Sequence, residues 1–169
     1  MNDHLVLVGL MGVGKTTVGR ALADQLGRPF LDSDQMIEAA TGRTVREIWR
    51  DDGEPAFRAL ETDVLRAALA APEPAVIAAA GGVVLNAVNR QLLAESNAHV
   101  VWLRADDKLL LERATRGAHR PLLDDDPAGV LATMAVERAP LYQEVADAIV
   151  TVDRRTVSDV VKAVLRCTV

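Results

Sequence analysis

The chain has 169 residues, half of them apolar, a net charge of −5 and a single cysteine, Cys167. That is enough apolar material for one domain with a substantial core and too much for a disordered chain. Scattered rather than clustered basic residues argue against a nucleic-acid or anionic-membrane surface, a lone cysteine excludes an internal disulfide, and no Cys/His group has metal-ligand spacing. The longest apolar stretch, Ala75–Leu85, is too short to span a bilayer, and the N-terminal residues lack the pattern of a signal peptide. A cytoplasmic location is therefore expected, with no nucleic-acid or membrane partner.

In chain order, Leu5–Val8 is a continuous apolar run ending at Gly9, the pattern of a buried strand. Lys15–Leu26 sets Val18, Ala21, Leu22 and Leu26 on one face of a helix and stops at Gly27. Pro29–Leu31 reads as a second strand. Short helices follow over about Gln35–Ala40 and Val45–Arg50, then a longer one from about Pro55 to Ala70. Val76–Ala80 is a third strand ending at Gly81-Gly82. A helix around Ala87–Ala94 precedes a fourth strand, His99–Leu103. Asp107–Thr115 reads as helix, Arg116–Asp126 as a polar loop, Ala128–Val145 as helix, Ala148–Val152 as a fifth strand and Val157–Leu165 as a closing helix. Strands alternating with helices predict an α/β fold over residues 1–169: a three-layer α/β/α sandwich around a five-stranded parallel sheet. Ligands of such sheets bind beyond the carboxyl ends of the strands, where Gly9 onward, Asp32 and Asp34, and Gly81-Gly82 all fall.

Gly9-Leu-Met-Gly-Val-Gly-Lys15-Thr16 matches the phosphate-binding loop G-x-x-x-x-G-K-[ST] at every fixed position, with a strand before it and a helix after it. Glycines let successive backbone N–H groups converge on phosphates at the positive end of a helix. Gly12, Val13, Gly14, Lys15, Thr16 and Thr17 are expected to hold ATP, with Lys15 on the β- and γ-phosphates and the Thr16 hydroxyl on Mg²⁺.

The remaining signals are individually ambiguous. Arg113, Arg116 and Arg120, with Gly117 and Pro121, suit a mobile lid over about 113–126, but also a solvated loop paired with Asp124–Asp126. Asp32 and Asp34 could serve a metal shell and a substrate hydroxyl, or Asp34 could cap a helix. Arg58 and Glu61 lie one helical turn apart, the spacing of an ordinary surface ion pair. Gly81-Gly82 suits close approach to a ligand or a plain turn, and Arg138 alone is no more than a solvated cation.

Together these residues resemble the shikimate kinases, a branch of the nucleoside-monophosphate-kinase-like P-loop fold. The resemblance rests on the phosphate loop, Leu31-Asp-Ser-Asp34, Gly53-Glu-Pro-Ala-Phe-Arg58 with Glu61, Gly81-Gly82, Arg120-Pro-Leu-Leu and Glu137-Arg138-Ala-Pro-Leu-Tyr142. It implies transfer of the γ-phosphoryl group of MgATP to the 3-hydroxyl of shikimate. By resemblance Arg58 and Arg138 grip the carboxylate, Asp34 holds ring hydroxyls near the accepting oxygen, and Gly81 and Gly82 line the ring pocket. Residues about 34–70 would be the substrate-binding helices. Lys15, Asp34 and Arg120 would be catalytic, Asp32 would join Thr16 in the metal shell, and Arg113 and Arg155 would border the adenine. A monomer is expected. The family's usual three glycines after strand three are here Ala80-Gly81-Gly82. Ala80 is expected to be extended, any positive-φ demand then falling on Gly81 or Gly82. The alternatives are a kinase of another small hydroxy-acid, such as gluconate, and a nucleotide-binding regulatory module without turnover.

Overall fold

The structure, a computed structural model, describes residues 3–116 and 126–168; the expected lid residues 117–125, Arg120 included, lie outside the described residues, as does anything to be said of the Arg116 side chain. Five short strands, β1 (Leu5–Val8), β2 (Phe30–Asp32), β3 (Val76–Ala78), β4 (His99–Arg104) and β5 (Ala148–Thr151), form one sheet in the order β2-β3-β1-β4-β5. Every pairing is parallel, with Leu5 opposite both Val76 and His99. Central β1 has no polar residue because both its faces are covered: Leu5, Val6, Leu7 and Val8 are all buried.

The helices are α1 (Lys15–Leu26), α2 (Ser33–Thr41), α3 (Val45–Asp51), α4 (Glu54–Leu69), α5 (Ala87–Glu95), α6 (Asp107–Arg116), α7 (Pro127–Val145) and α8 (Val157–Cys167). The chain moves one way along the sheet from β1 to β2 and the other way afterwards. Right-handed crossovers therefore put α1 on one face, where it packs against α8, and α4, α5 and α7 on the other. The reversal opens a crevice beside β1 and β3 at their carboxyl ends, which is where a ligand site belongs.

Some expectations shift. β3 stops at Ala78, and a 3₁₀ turn, Val83–Leu85, follows Gly82 where periodicity marks nothing. In α1 the buried stripe is Val18, Leu22 and Ala23, while Leu26 at the final turn is 36% exposed. α6 runs to Arg116, where the polar loop was expected to start.

A second, smaller apolar cluster (Ile37, Ile48, Phe57 and Val64) joins α2, α3 and α4 beneath the cavity described below. The seven-residue α3 is too short to persist alone. It is held by that cluster and by a capping box: Thr44 Oγ1 accepts from Glu47 N at 3.2 Å, and Glu47 Oε2 accepts from Thr44 N at 2.8 Å. The bond from Thr44 N also holds the Glu47 carboxyl below its ordinary pKa. Among the described residues no helix is long and apolar enough to cross a membrane.

Candidate active site

One cavity of about 770 Å³ lies at the carboxyl ends of β1, β2 and β3, and every predicted site residue within the described range lines it. Its floor is the phosphate loop. Gly9, Gly12 and Gly14 take φ of 144°, 81° and 106°, conformations closed to ordinary side chains, so the turn needs glycine at these positions. The loop delivers the exposed first turn of α1, with Thr16 and Thr17, to the cavity. The Lys15 ammonium donates to Gly9 O at 2.7 Å and Leu10 O at 3.1 Å, so it holds the loop it belongs to. Arg113 on α6 reaches across to Gly12 O (3.1 Å) and Val13 O (2.8 Å), bracing the same loop from above. Arg155 lines the cavity, beside Val152, Val157 and Val160.

Thr16 Oγ1 donates to Asp32 Oδ2 at 2.8 Å, joining α1 to the end of β2. Asp32, not Asp34, is the N-cap of α2: its Oδ1 accepts from Asp34 N at 3.0 Å and Gln35 N at 3.4 Å. The Asp34 side chain, in the first helical turn, lines the cavity. Two adjacent hard oxygens from Thr16 and Asp32 suit Mg²⁺, which typically takes few protein ligands and completes its shell with water and phosphate oxygens.

Across the cavity the Arg58–Glu61 pair is not a surface ion pair. Glu61 is 2% exposed, and Arg58 Nη1 donates to both its oxygens at 3.0 Å. Arg58 Nε and Nη2 donate to Glu54 Oε1 at 3.2 and 3.1 Å, and its guanidinium sits 5.5 Å from the ring centroids of both Trp49 and Phe57. An arginine held at this many points presents its fork in one orientation. Burial pushes the Glu61 carboxyl above its usual pKa, and the Arg58 guanidinium opposes the shift. Sequence spacing could place Glu61 beside Arg58 but could not show it buried. Glu61 is a positioning residue to which the sequence assigns no role.

Nor is Arg138 solvated. It is 5% exposed on α7, lines the cavity, and its Nε has no hydrogen-bond partner among the described residues. A buried guanidinium N–H without an acceptor is costly, and an anionic ligand would satisfy it.

Neither Gly81 nor Gly82 takes a positive φ, contrary to expectation; Gly82 has φ −88°. What favours glycine there is crowding. A Cβ on Gly82 would fall on the Arg58 guanidinium, within 2.6 Å of Cζ, and one on Gly81 would lie 3.2 Å from Met11 N. Ala80 lines the cavity without positive φ, as expected, although β3 ends two residues before it.

Tyr142, one turn beyond Arg138, is a second positioning residue to which the sequence assigns no role. It is 1% exposed, its ring stacks 5.5 Å from Trp102, and its hydroxyl donates to Gly81 O. Burial pushes its pKa up to about 12, so it stays a donor throughout the neutral range. Tyr142→Phe should remove about 0.5–1.5 kcal/mol and lower the melting temperature by a few degrees, roughly 2–4 °C per kcal/mol for a domain of this size. An unchanged calorimetric Tm would show that the bond contributes nothing.

The arrangement has the features of a phosphoryl-transfer site: a phosphate cradle and metal-suited oxygens at one end, and a rigid pair of arginines with carboxylates at the other. Residues 11–168 match the family model described as shikimate kinase. Shikimate kinase of Symbiobacterium thermophilum is 46% identical over 165 residues, covering 96% of this chain and 94% of that one. Shikimate kinase of Streptomyces coelicolor is 44% identical over 161 residues, covering 95% of this chain and 92% of that one. The solved structure of shikimate kinase from Acinetobacter baumannii in complex with shikimate superposes with a TM-score of 0.94 at 39% identity, covering 99% of this chain and 93% of that one. The chain belongs to the shikimate kinase family.

Proposed function

We propose that this kinase transfers the γ-phosphoryl group of ATP to the 3-hydroxyl of shikimate, with Mg²⁺ held by Thr16 and Asp32. The observation that carries the reading is the single cavity, in which Lys15 and the α1 N-terminus lie at one end and Arg58, Arg138, Asp34 and Gly81-Gly82 line the other. Arg58 and Arg138 would take the substrate carboxylate, and their fixed orientation would turn the ring so that a hydroxyl faces the nucleotide. Asp34 would accept the proton of that hydroxyl as it attacks. Lys15 would leave the Gly9 and Leu10 carbonyls for the phosphate oxygens, where negative charge develops. Mg²⁺ would neutralise charge on the β- and γ-phosphate oxygens. Arg113 and Arg155 would flank the nucleotide base, and Arg120 would add positive charge at the transferred group. We further assign a monomer in the cytoplasm, which light scattering and fractionation would check.

An ADP-release assay with MgATP tests the proposal, run with shikimate, with gluconate and with neither. Release that needs shikimate supports it. Equal or greater release with gluconate would transfer the reading to another hydroxy-acid, and no release with either would favour a regulatory module.

Replacing the glycines tests the ring pocket. Gly82→Ala should raise the KM for shikimate by at least tenfold, because its methyl group displaces the Arg58 guanidinium. Ala80→Gly should change kcat/KM by less than about tenfold, under ~1.4 kcal/mol, since no backbone constraint demands glycine there. Strong activation by Ala80→Gly from a weakly active parent would point to a different natural substrate.

A further inference from the structure

Arg46, on the first turn of α3, lines the cavity beside Val45 and Trp49. The other arginines of α3 and its flanks are paired: Arg43 with Asp51 and Asp52, Arg50 with Asp51, and Arg58 on α4 with Glu54 and Glu61. Arg46 has no ion pair or hydrogen bond among the described residues. Helix stability does not account for it either, because a cation in a first turn sits at the positive end of the helix dipole. Six cations (Lys15, Arg46, Arg58, Arg113, Arg138 and Arg155) line the cavity against four carboxylates (Asp32, Asp34, Glu38 and Glu61), although the whole chain carries −5. The cavity is thus a local positive well in an acidic protein, and Arg46 is an exposed cation in it with no ion pair or hydrogen bond among the described residues.

We infer that Arg46 is a specificity-determining residue that draws the anionic hydroxy-acid substrate into the cavity and favours it over neutral polyols. The inference rests on the reading of the substrate as a small carboxylate. Arg46 contributes a point charge, in contrast to Arg58, whose fork is locked by six named contacts. Guanidinium geometry is therefore dispensable at Arg46 and its charge is not. A unit charge acting over several ångströms in a solvated cleft changes encounter and binding on the order of fivefold.

The test is steady-state kinetics on Arg46→Gln, Arg46→Glu and Arg46→Lys, with shikimate varied at saturating MgATP, across a series of salt concentrations. Arg46→Gln should lower kcat/KM for shikimate about fivefold at low salt, and Arg46→Glu about 25-fold. Arg46→Lys should keep the parent value. The differences should vanish near 1 M salt, where screening falls to about 3 Å, and kcat should stay within twofold throughout. Parent-like kcat/KM in Arg46→Glu at low salt would overturn the inference, as would a deficit that persists at high salt or appears in kcat. If the parent itself does not phosphorylate shikimate, the proposed function fails. If the parent does and the variants match it, the role of Arg46 alone fails.

Discussion

Lys15→Ala should lower kcat by on the order of 10²-fold or more in a protein that still folds. The ammonium, which donates to Gly9 O and Leu10 O, is carried on the first residue of α1, within reach of any phosphate cradled by the loop. Its charge acts most strongly where phosphoryl oxygens gain negative charge, so its removal raises the barrier by several kcal/mol. Circular dichroism would verify the fold, and initial rates at saturating ATP and shikimate would read the loss. Because the lysine also ties down the loop, its removal should loosen the Gly9–Gly14 turn, with a melting temperature only a few degrees lower. A folded Lys15→Ala protein with parent-like kcat would refute the role.

The second large effect is expected at the arginine pair. Arg58→Ala and Arg138→Ala should each weaken shikimate binding by roughly 10- to 150-fold, the value of a charge-assisted bond of about 1.5–3 kcal/mol. ATP affinity should scarcely change. The two variants should nevertheless differ in stability. Removing Arg58 strands Glu61, whose side chain is 1% exposed, and breaking such a buried pair typically costs about 3–5 kcal/mol. Arg58→Ala combined with Glu61→Gln should regain much of that stability without regaining affinity, which separates folding from recognition. Arg58→Lys should rescue poorly, because an ammonium cannot reach Glu54, both oxygens of Glu61 and a ligand carboxylate at once. Titration calorimetry with shikimate and thermal melts on the same proteins would measure both quantities. Unchanged shikimate affinity in both alanine variants would show that these arginines do not form the carboxylate site.

The shared origin of these two effects is that rigid elements hold both ends of the cavity. α4 carries Arg58 and Glu61, α7 carries Arg138 and Tyr142, and the Tyr142 hydroxyl ties α7 to the Gly81 carbonyl beyond β3. Side chains locked by packing and by further hydrogen bonds keep a productive geometry better than side chains on free loops.

Local chemistry was sufficient to determine the order of elements, the parallel sheet and the phosphate loop. Continuous apolar runs distinguish β1 and β4, helical spacing and Gly27 bound α1, and the glycines of the loop each answer a nearby backbone demand. That Lys15, Asp34, Arg58, Gly81, Gly82 and Arg138 would meet was legible too, and all six line one cavity. Only the tertiary structure decided what surrounds them. An i, i+3 spacing is the same for a solvated ion pair and a buried one, and Glu61 on α4 is buried where α2, carrying Asp34, and α7, carrying Arg138, come close to it. Gly82 looks like a turn glycine in sequence, yet what excludes a side chain there is a guanidinium from α4. Tyr142 bonds a carbonyl 61 residues away, a separation that periodicity cannot register. Secondary structure follows from interactions within a few residues, whereas burial of charge and close approach of backbone to side chain depend on segments that meet only after the sheet has formed.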